Sequence, residues 1–174
     1  MKKKIGIIII ISIIGLLVYL GYNIITKAKE KNAAAKQILT IPKFELKTLD
    51  NVSFTNENLK PNTSTVFIYF NSECDFCHHE AESINQNLKK FKNVQLVFVS
   101  TESIEILKQF SEKYNLNNHP KINFLYDNNY SFSSKFNAFS IPYILIYNKN
   151  NELIKKNNGQ LNANGILRVL NEND

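Results

Sequence analysis

An uncharged run of 21 residues, Ile5–Ile25, dominated by Ile and Leu, splits the chain into two parts suited to different solvents. As a helix it would extend roughly 31 Å at about 1.5 Å per residue, enough to cross a bilayer core. A cleavable signal peptide has a shorter apolar core, and the one A-x-A-like site, Ala33–Ala35, lies well past the run. No cysteine follows closely, which argues against a lipoprotein anchor. The expected organisation is an uncleaved transmembrane anchor over 1–26, a polar stalk over 27–40 and one folded domain over 41–174. Charge leaves the orientation open, because Lys2, Lys3 and Lys4 precede the run while Lys27, Lys29, Lys31 and Lys36 follow it.

The formal net charge of +6 has the same origin. Residues 1–36 hold seven Lys and one Glu, whereas 37–174 hold 14 basic and 14 acidic residues. Lysines beside an apolar span suit lipid headgroups. With no basic stripe left in the domain, nucleic acid is not an expected partner.

The remaining residues are enough for one domain with its own core. Phe44, Leu46, Val52 and Phe54 alternate with polar residues around Asp50-Asn51, predicting a short hairpin. Thr65–Phe70 and Asn93–Val99 are continuous apolar runs of the kind that form buried strands. Between them, Asp75–Phe91 carries Phe76, Ala81, Ile84, Leu88 and Phe91 at helical spacing. Ser103–Tyr114 reads as a helix with Ser103 as N-cap. A short strand at Ile122–Tyr126 and a weakly helical segment at 130–139 follow. Strands at Tyr143–Tyr147 and Glu152–Lys156 flank a turn, and a last helix spans about 162–170. The order predicts an α/β fold, a mixed central sheet flanked by helices.

Only two cysteines occur, Cys74 and Cys77, too few for a disulfide scaffold. They fall where a buried strand gives way to a helix. Unpaired N–H groups and the macrodipole at a helix start favour an anionic sulfur at Cys74. Cys77, one turn on and more buried, is placed to resolve a mixed disulfide formed at Cys74.

The C-x-x-C between strand and helix, with Ile141-Pro142-Tyr143 before a later strand, resembles the thioredoxin superfamily. The apolar N-terminal run, the hairpin and the Ser103–Tyr114 insertion make the chain similar to the TlpA/ResA-like extracytoplasmic thioredoxins over roughly residues 40–170. The resemblance implies a thioredoxin-like fold and a thiol–disulfide oxidoreductase without cofactor or metal. Its expected task is to reduce disulfides in extracytoplasmic proteins such as apocytochromes, with electrons exchanged through a membrane partner. It also implies that Pro142 is cis and faces the cysteines, and that the backbone of Ile141 binds the substrate chain. The expected location is the cell membrane, with the domain in the periplasm or an equivalent space.

Three features depart from that pattern. Glu73 stands where a tryptophan is usual, Asp75-Phe76 separates the cysteines without a proline, and residues 65–71 contain no buried acid. Glu80, three residues after Cys77, matches a functional glutamate of several TlpA/ResA-like proteins. It is either the proton acceptor for Cys77 or a solvated helix glutamate.

Other readings share the same residues. Cys74–His78 fits the C-x-x-C-H attachment motif of c-type haem, with only His79 and His119 to offer as second ligand besides Met1, but an α/β pattern offers no haem crevice. A metal site would need ligands beyond Cys74, Cys77 and a neighbouring His, with only His119 to complete it. A peroxiredoxin-type peroxidase needs a Pro/Thr-bearing loop before its cysteine, where this chain has Asn71-Ser72-Glu73. An inert binding module is the non-enzyme class, and a C-x-x-C at a helix start weighs against it. His78 and His79 read as polar surface residues. Phe132, Phe136, Phe139 and Tyr143 read mainly as core, with an apolar substrate groove as the other option.

Overall fold

The computed structural model describes residues 2–117 and 119–173, with 2–14, 30 and 31 described by backbone alone. The chain forms two units, Met1–Lys36 and Gln37–Asp174. A single helix, α1 (Lys2–Gln37), accounts for the first. Among the described residues no helix is long and apolar enough to cross a membrane. The expected span Ile5–Ile25 begins on residues 5–14, whose side chains lie outside the description.

The second unit begins at Gln37, earlier than the expected 41, because the approach to the sheet is already packed. Ile38 is buried, and its carbonyl accepts the Tyr147 hydroxyl at 3.1 Å. The Leu39 carbonyl accepts the Leu153 N–H at 2.8 Å.

Seven strands form one sheet. They are β1 (Glu45–Thr48), β2 (Ser53–Thr55), β3 (Ser64–Tyr69), β4 (Val94–Ser100), β5 (Ile122–Tyr126), β6 (Tyr143–Tyr147) and β7 (Leu153–Asn158). Their order across the sheet is β2-β1-β5-β4-β3-β6-β7. β3, β4 and β5 run parallel, and β6, β7 and the β1–β2 hairpin pair antiparallel at the flanks. The helices of this unit are α2 (Asp75–Asn87), α3 (Ile104–Lys113), α4 (Ser131–Phe136) and α5 (Ala163–Asn173).

Alternation along β3 shows why the central runs are apolar throughout. Val66, Ile68 and Phe70 face a cluster with Ala81 and Ile84 of α2, Leu107 and Phe110 of α3, and Ile166 of α5. Phe67 and Tyr69 face the other side, with Phe132 and Phe136 of α4 and with Phe44, Leu46 and Phe54 of the hairpin. Both faces are covered, so no position of β3 can be polar-out. Phe132 stacks on Phe136 at 4.1 Å between ring centres, and Phe67 meets Phe136 at 5.1 Å. Val52 does not join this core as the alternation predicts. It precedes β2 and is exposed.

The dispersed asparagines have a structural use that composition hides. Asn51, Asn62, Asn93, Asn115, Asn137 and Asn151 all adopt positive φ. In a chain with five glycines, asparagine supplies the left-handed turns that end strands and helices.

Candidate active site

Because β3, β4 and β5 are parallel, the loops that leave them gather at one edge of the sheet. Antiparallel β6 starts at that edge, with Tyr143 opposite Tyr69 and Tyr69 opposite Val99. The segments 70–74, 101–103, 127–130 and 139–142 are thereby brought together.

The loop carrying the cysteines is held from both ends. The Phe70 N–H donates to the Val99 carbonyl at 3.0 Å, and Asn71 Oδ1 accepts the Glu73 N–H at 2.8 Å in an Asx-type turn. Glu102, after β4, accepts the Ser72 N–H and the Ser72 hydroxyl, each at 2.6 Å. Ser100 Oγ steadies Glu102, donating to its carboxylate and accepting its N–H at 3.2 Å each. Sequence reasoning missed Glu102, which lies 30 residues from Ser72 and belongs to no motif.

Cys74 is the N-cap of α2, with φ −87 and ψ 112. Its side chain makes no capping hydrogen bond, and its carbonyl accepts the N–H groups of Cys77 at 2.9 Å and His78 at 3.1 Å. The sulfur stays partly exposed, while Cys77 is buried, and both are free thiols. Burial, and next a hydrogen bond with the Cys74 sulfur, push the Cys77 thiol far above its ordinary range. The Glu80 charge adds to that rise.

Glu80 is fully buried in α2, and neither carboxylate oxygen has a hydrogen-bond partner. Burial pushes its pKa up to about 8, against a weaker lowering by the Leu161 backbone, which approaches the carboxyl without reaching hydrogen-bond geometry. Of the two readings of Glu80, the solvated one is therefore wrong: this helix position is covered. An unpartnered carboxyl in such a place is held neutral over much of the pH range.

The Ile141–Pro142 peptide bond is cis. Pro142 is buried, Ile141 is 44% exposed, and the Pro142 carbonyl accepts the Gly159 N–H at 2.8 Å. By extension of the β3–β6 register, Pro142 lies beside Phe70, where the cysteine loop begins. Phe132, Phe136 and Tyr143 are core, but Phe139 is 77% exposed and Phe76 is 60% exposed. Helical spacing predicts a buried Phe76. It sits instead exposed on the first turn of α2, where Cys77, the next residue, is the one that enters the core.

His78 departs from the expected free surface position. Tyr114 Oη lies 2.6 Å from its Nδ1, and its ring stacks on Phe110 at 5.6 Å. His79 is exposed. His119 precedes β5, at the edge away from Cys74, so it cannot share a ligand shell with the cysteines. Among the described residues no cluster of three or more His, Cys, Asp or Glu is arranged to hold a metal ion.

A mixed sheet with a half-exposed and a buried thiol at a strand–helix junction defines a thioredoxin-like domain. A family model described as AhpC/TSA family matches residues 39–156, and the chain belongs to that family. No curated protein sequence matches it. Among solved structures, MTB DsbF in mixed oxidised and reduced forms is similar at 20% identity and a TM-score of 0.65, covering 78% of this chain and 96% of that one. A secreted Mycobacterium tuberculosis disulfide oxidoreductase homologous to E. coli DsbE gives 22%, 0.62, and coverage of 78% and 98%. The peroxidoxin BcpB from Mycobacterium tuberculosis gives 14%, 0.66, and coverage of 78% and 96%.

Proposed function

We propose that the protein is a thiol–disulfide oxidoreductase that reduces disulfides in extracytoplasmic proteins through Cys74 and Cys77. The observation that carries this reading is the asymmetry of the pair: Cys74 is reachable, while Cys77 is buried beside an unpartnered Glu80. The Cys74 thiolate attacks one sulfur of a substrate disulfide. That bond breaks, the departing sulfur takes a proton, and a mixed disulfide remains. Cys77 gives its proton to Glu80 in its ionised form, which at a pKa of about 8 is the minor but more basic form at neutral pH, and attacks the Cys74 sulfur. The Cys74–substrate bond breaks, and the departing substrate sulfur takes up that proton. Two electrons have then passed to the substrate, and the chain holds a Cys74–Cys77 disulfide. A membrane dithiol partner restores the thiols.

Ile141 and Pro142 form the docking edge for the substrate backbone. The exposed rings of Phe76 and Phe139 offer apolar contact, which suits a polypeptide more than a small polar thiol. The apolar run Ile5–Ile25 supports a single-pass anchor in the cell membrane, with the domain facing the periplasm or an equivalent space.

A Cys77→Ala chain incubated with a polypeptide disulfide should accumulate a mixed disulfide through Cys74, and a Cys74→Ala chain should not. Absence of the adduct in both would refute the proposal. A midpoint near about −270 mV supports a reductase, whereas one near about −120 mV makes the chain an oxidant of envelope proteins. Membership of the AhpC/TSA family favours one second reading, a thiol peroxidase acting through Cys74. Steady consumption of hydrogen peroxide with a dithiol, lost in Cys74→Ala, would favour it.

A further inference from the structure

The two ends of the parallel strands carry opposite charge. Exposed Glu73 and Asp75 and partly exposed Glu102 mark the cysteine edge. The other edge, where β3, β4 and β5 begin and β6 ends, is rich in lysine. Lys60 precedes β3, Lys89, Lys90 and Lys92 precede β4, Lys121 precedes β5, and Lys149 follows β6. All are exposed except Lys121, which is partly so. Hydrogen bonds tie their loops together: Lys60 Nζ donates to the Pro120 carbonyl, and Lys121 Nζ donates to the Phe91 carbonyl at 2.8 Å. A hollow of about 680 Å³ beside them is lined by Lys90, Lys92 and Arg168, with Glu172 its one carboxylate. Glu152 is the acid in the turn with Lys149.

The same edge is where the chain enters the domain. Thr40 bridges to Glu152, Ile41 N–H donates to the Asn151 carbonyl at 3.3 Å, and the Ile38 carbonyl receives Tyr147. The segment 38–41 therefore packs at the lysine-bearing edge, about 17–20 Å along β3 from the cysteines.

We infer that this edge is a docking face for anionic lipid headgroups, which turns the cysteine edge away from the membrane. The inference rests on the anchored reading above. Lysines near an anionic leaflet are attracted within about a Debye length, and the chain enters the domain among these lysines. The domain as a whole is charge-neutral, so the attraction is oriented: cations face the lipid and the acidic redox edge is repelled from it.

The test is lysine footprinting of the full chain with an amine-reactive acylating reagent, read by mass spectrometry. The chain is mixed with vesicles of phosphatidylcholine alone or of phosphatidylcholine with phosphatidylglycerol. Acylation of Lys60, Lys89, Lys90, Lys92 and Lys121 should fall severalfold only with phosphatidylglycerol and recover in high salt, while Lys47 and Lys135 stay unchanged. In Lys89→Glu/Lys90→Glu/Lys92→Glu, protection of Lys60 and Lys121 should be lost, with thiol exchange on a soluble disulfide unaffected. Equal labelling in both lipids overturns the docking face. Equal protection by free inorganic phosphate also overturns it, as that describes an anion site. Carbonate extraction reads the anchor separately: a chain that stays in the membrane with an unchanged footprint keeps the anchor and loses the docking face.

Discussion

The Glu102 carboxylate grips Ser72 by both its N–H and its hydroxyl, each at 2.6 Å, two residues ahead of Cys74. It thus links the end of β4 to the loop that presents the half-exposed thiol. Hydrogen bonds to a charged acceptor contribute about 1.5–3 kcal/mol each, and removing the acceptor leaves two donors without it. Glu102→Ala should cost about 2 kcal/mol in denaturant unfolding and slow disulfide exchange at Cys74. Glu102→Gln keeps one acceptor oxygen and should fall between. If Glu102→Ala matches the parent in both stability and rate, the clamp is ornamental.

Burying Glu80 has a cost that depends on pH. Its pKa stands at about 8 in the folded chain, above the ordinary glutamate value of about 4.5. The folded state therefore binds more protons than the unfolded one between those values, and stability falls as pH rises through that window. Glu80→Gln removes the ionisable group. It should match the parent near the lower end and exceed it above pH ~8, by on the order of 3–5 kcal/mol at most. Thermal unfolding from acid to mildly alkaline pH reads the gap, and a constant gap would count against a buried, unpartnered carboxyl.

Elements and their order were legible because their signals are local. Ser103 caps α3 as its sequence suggests, accepting the Ile106 N–H, and the apolar run of β3 is buried at every position. Phe76 was misjudged, and Glu80 left open between two readings, for the opposite reason. Exposure of a helix position depends on what the rest of the chain lays over it, and Leu161, whose backbone faces Glu80, comes from 81 residues away. The Glu102–Ser72 clamp and the Tyr114–His78 contact share that non-local character. No spacing within a motif encodes them. The two-sided aromatic core is intermediate. Composition announces the aromatics, but only the sheet's pleat assigns Phe67 and Phe70 to opposite faces.

Phe139 is the most exposed large apolar residue of the domain and stands three positions before Pro142. No packing accounts for it. Phe139→Ser should leave stability within about 0.5 kcal/mol of the parent. It should lower kcat/KM several-fold for a polypeptide disulfide and leave the rate with glutathione disulfide unchanged. Equal losses for both substrates would assign the ring to loop structure instead of substrate contact.

The unequal burial of the thiols predicts how the reduced chain reacts and how it unfolds. Iodoacetamide at neutral pH should modify one thiol, Cys74, and reach Cys77 only after denaturation. Two alkylations at similar rates in the folded chain would refute the asymmetry on which the mechanism rests. The same burial has a thermodynamic consequence. Cys77 holds its proton in the folded state well above the ordinary thiol range, chiefly because its thiolate would be desolvated. A raised folded pKa gives stability that is complete below the unfolded thiol value, about 8.5, and is lost as pH climbs above it. The disulfide form has no such proton to lose. Reduced and oxidised chains should therefore diverge under alkaline conditions, the reduced one losing unfolding free energy faster. Parallel pH profiles for the two forms would mean that Cys77 is wetter than its burial implies.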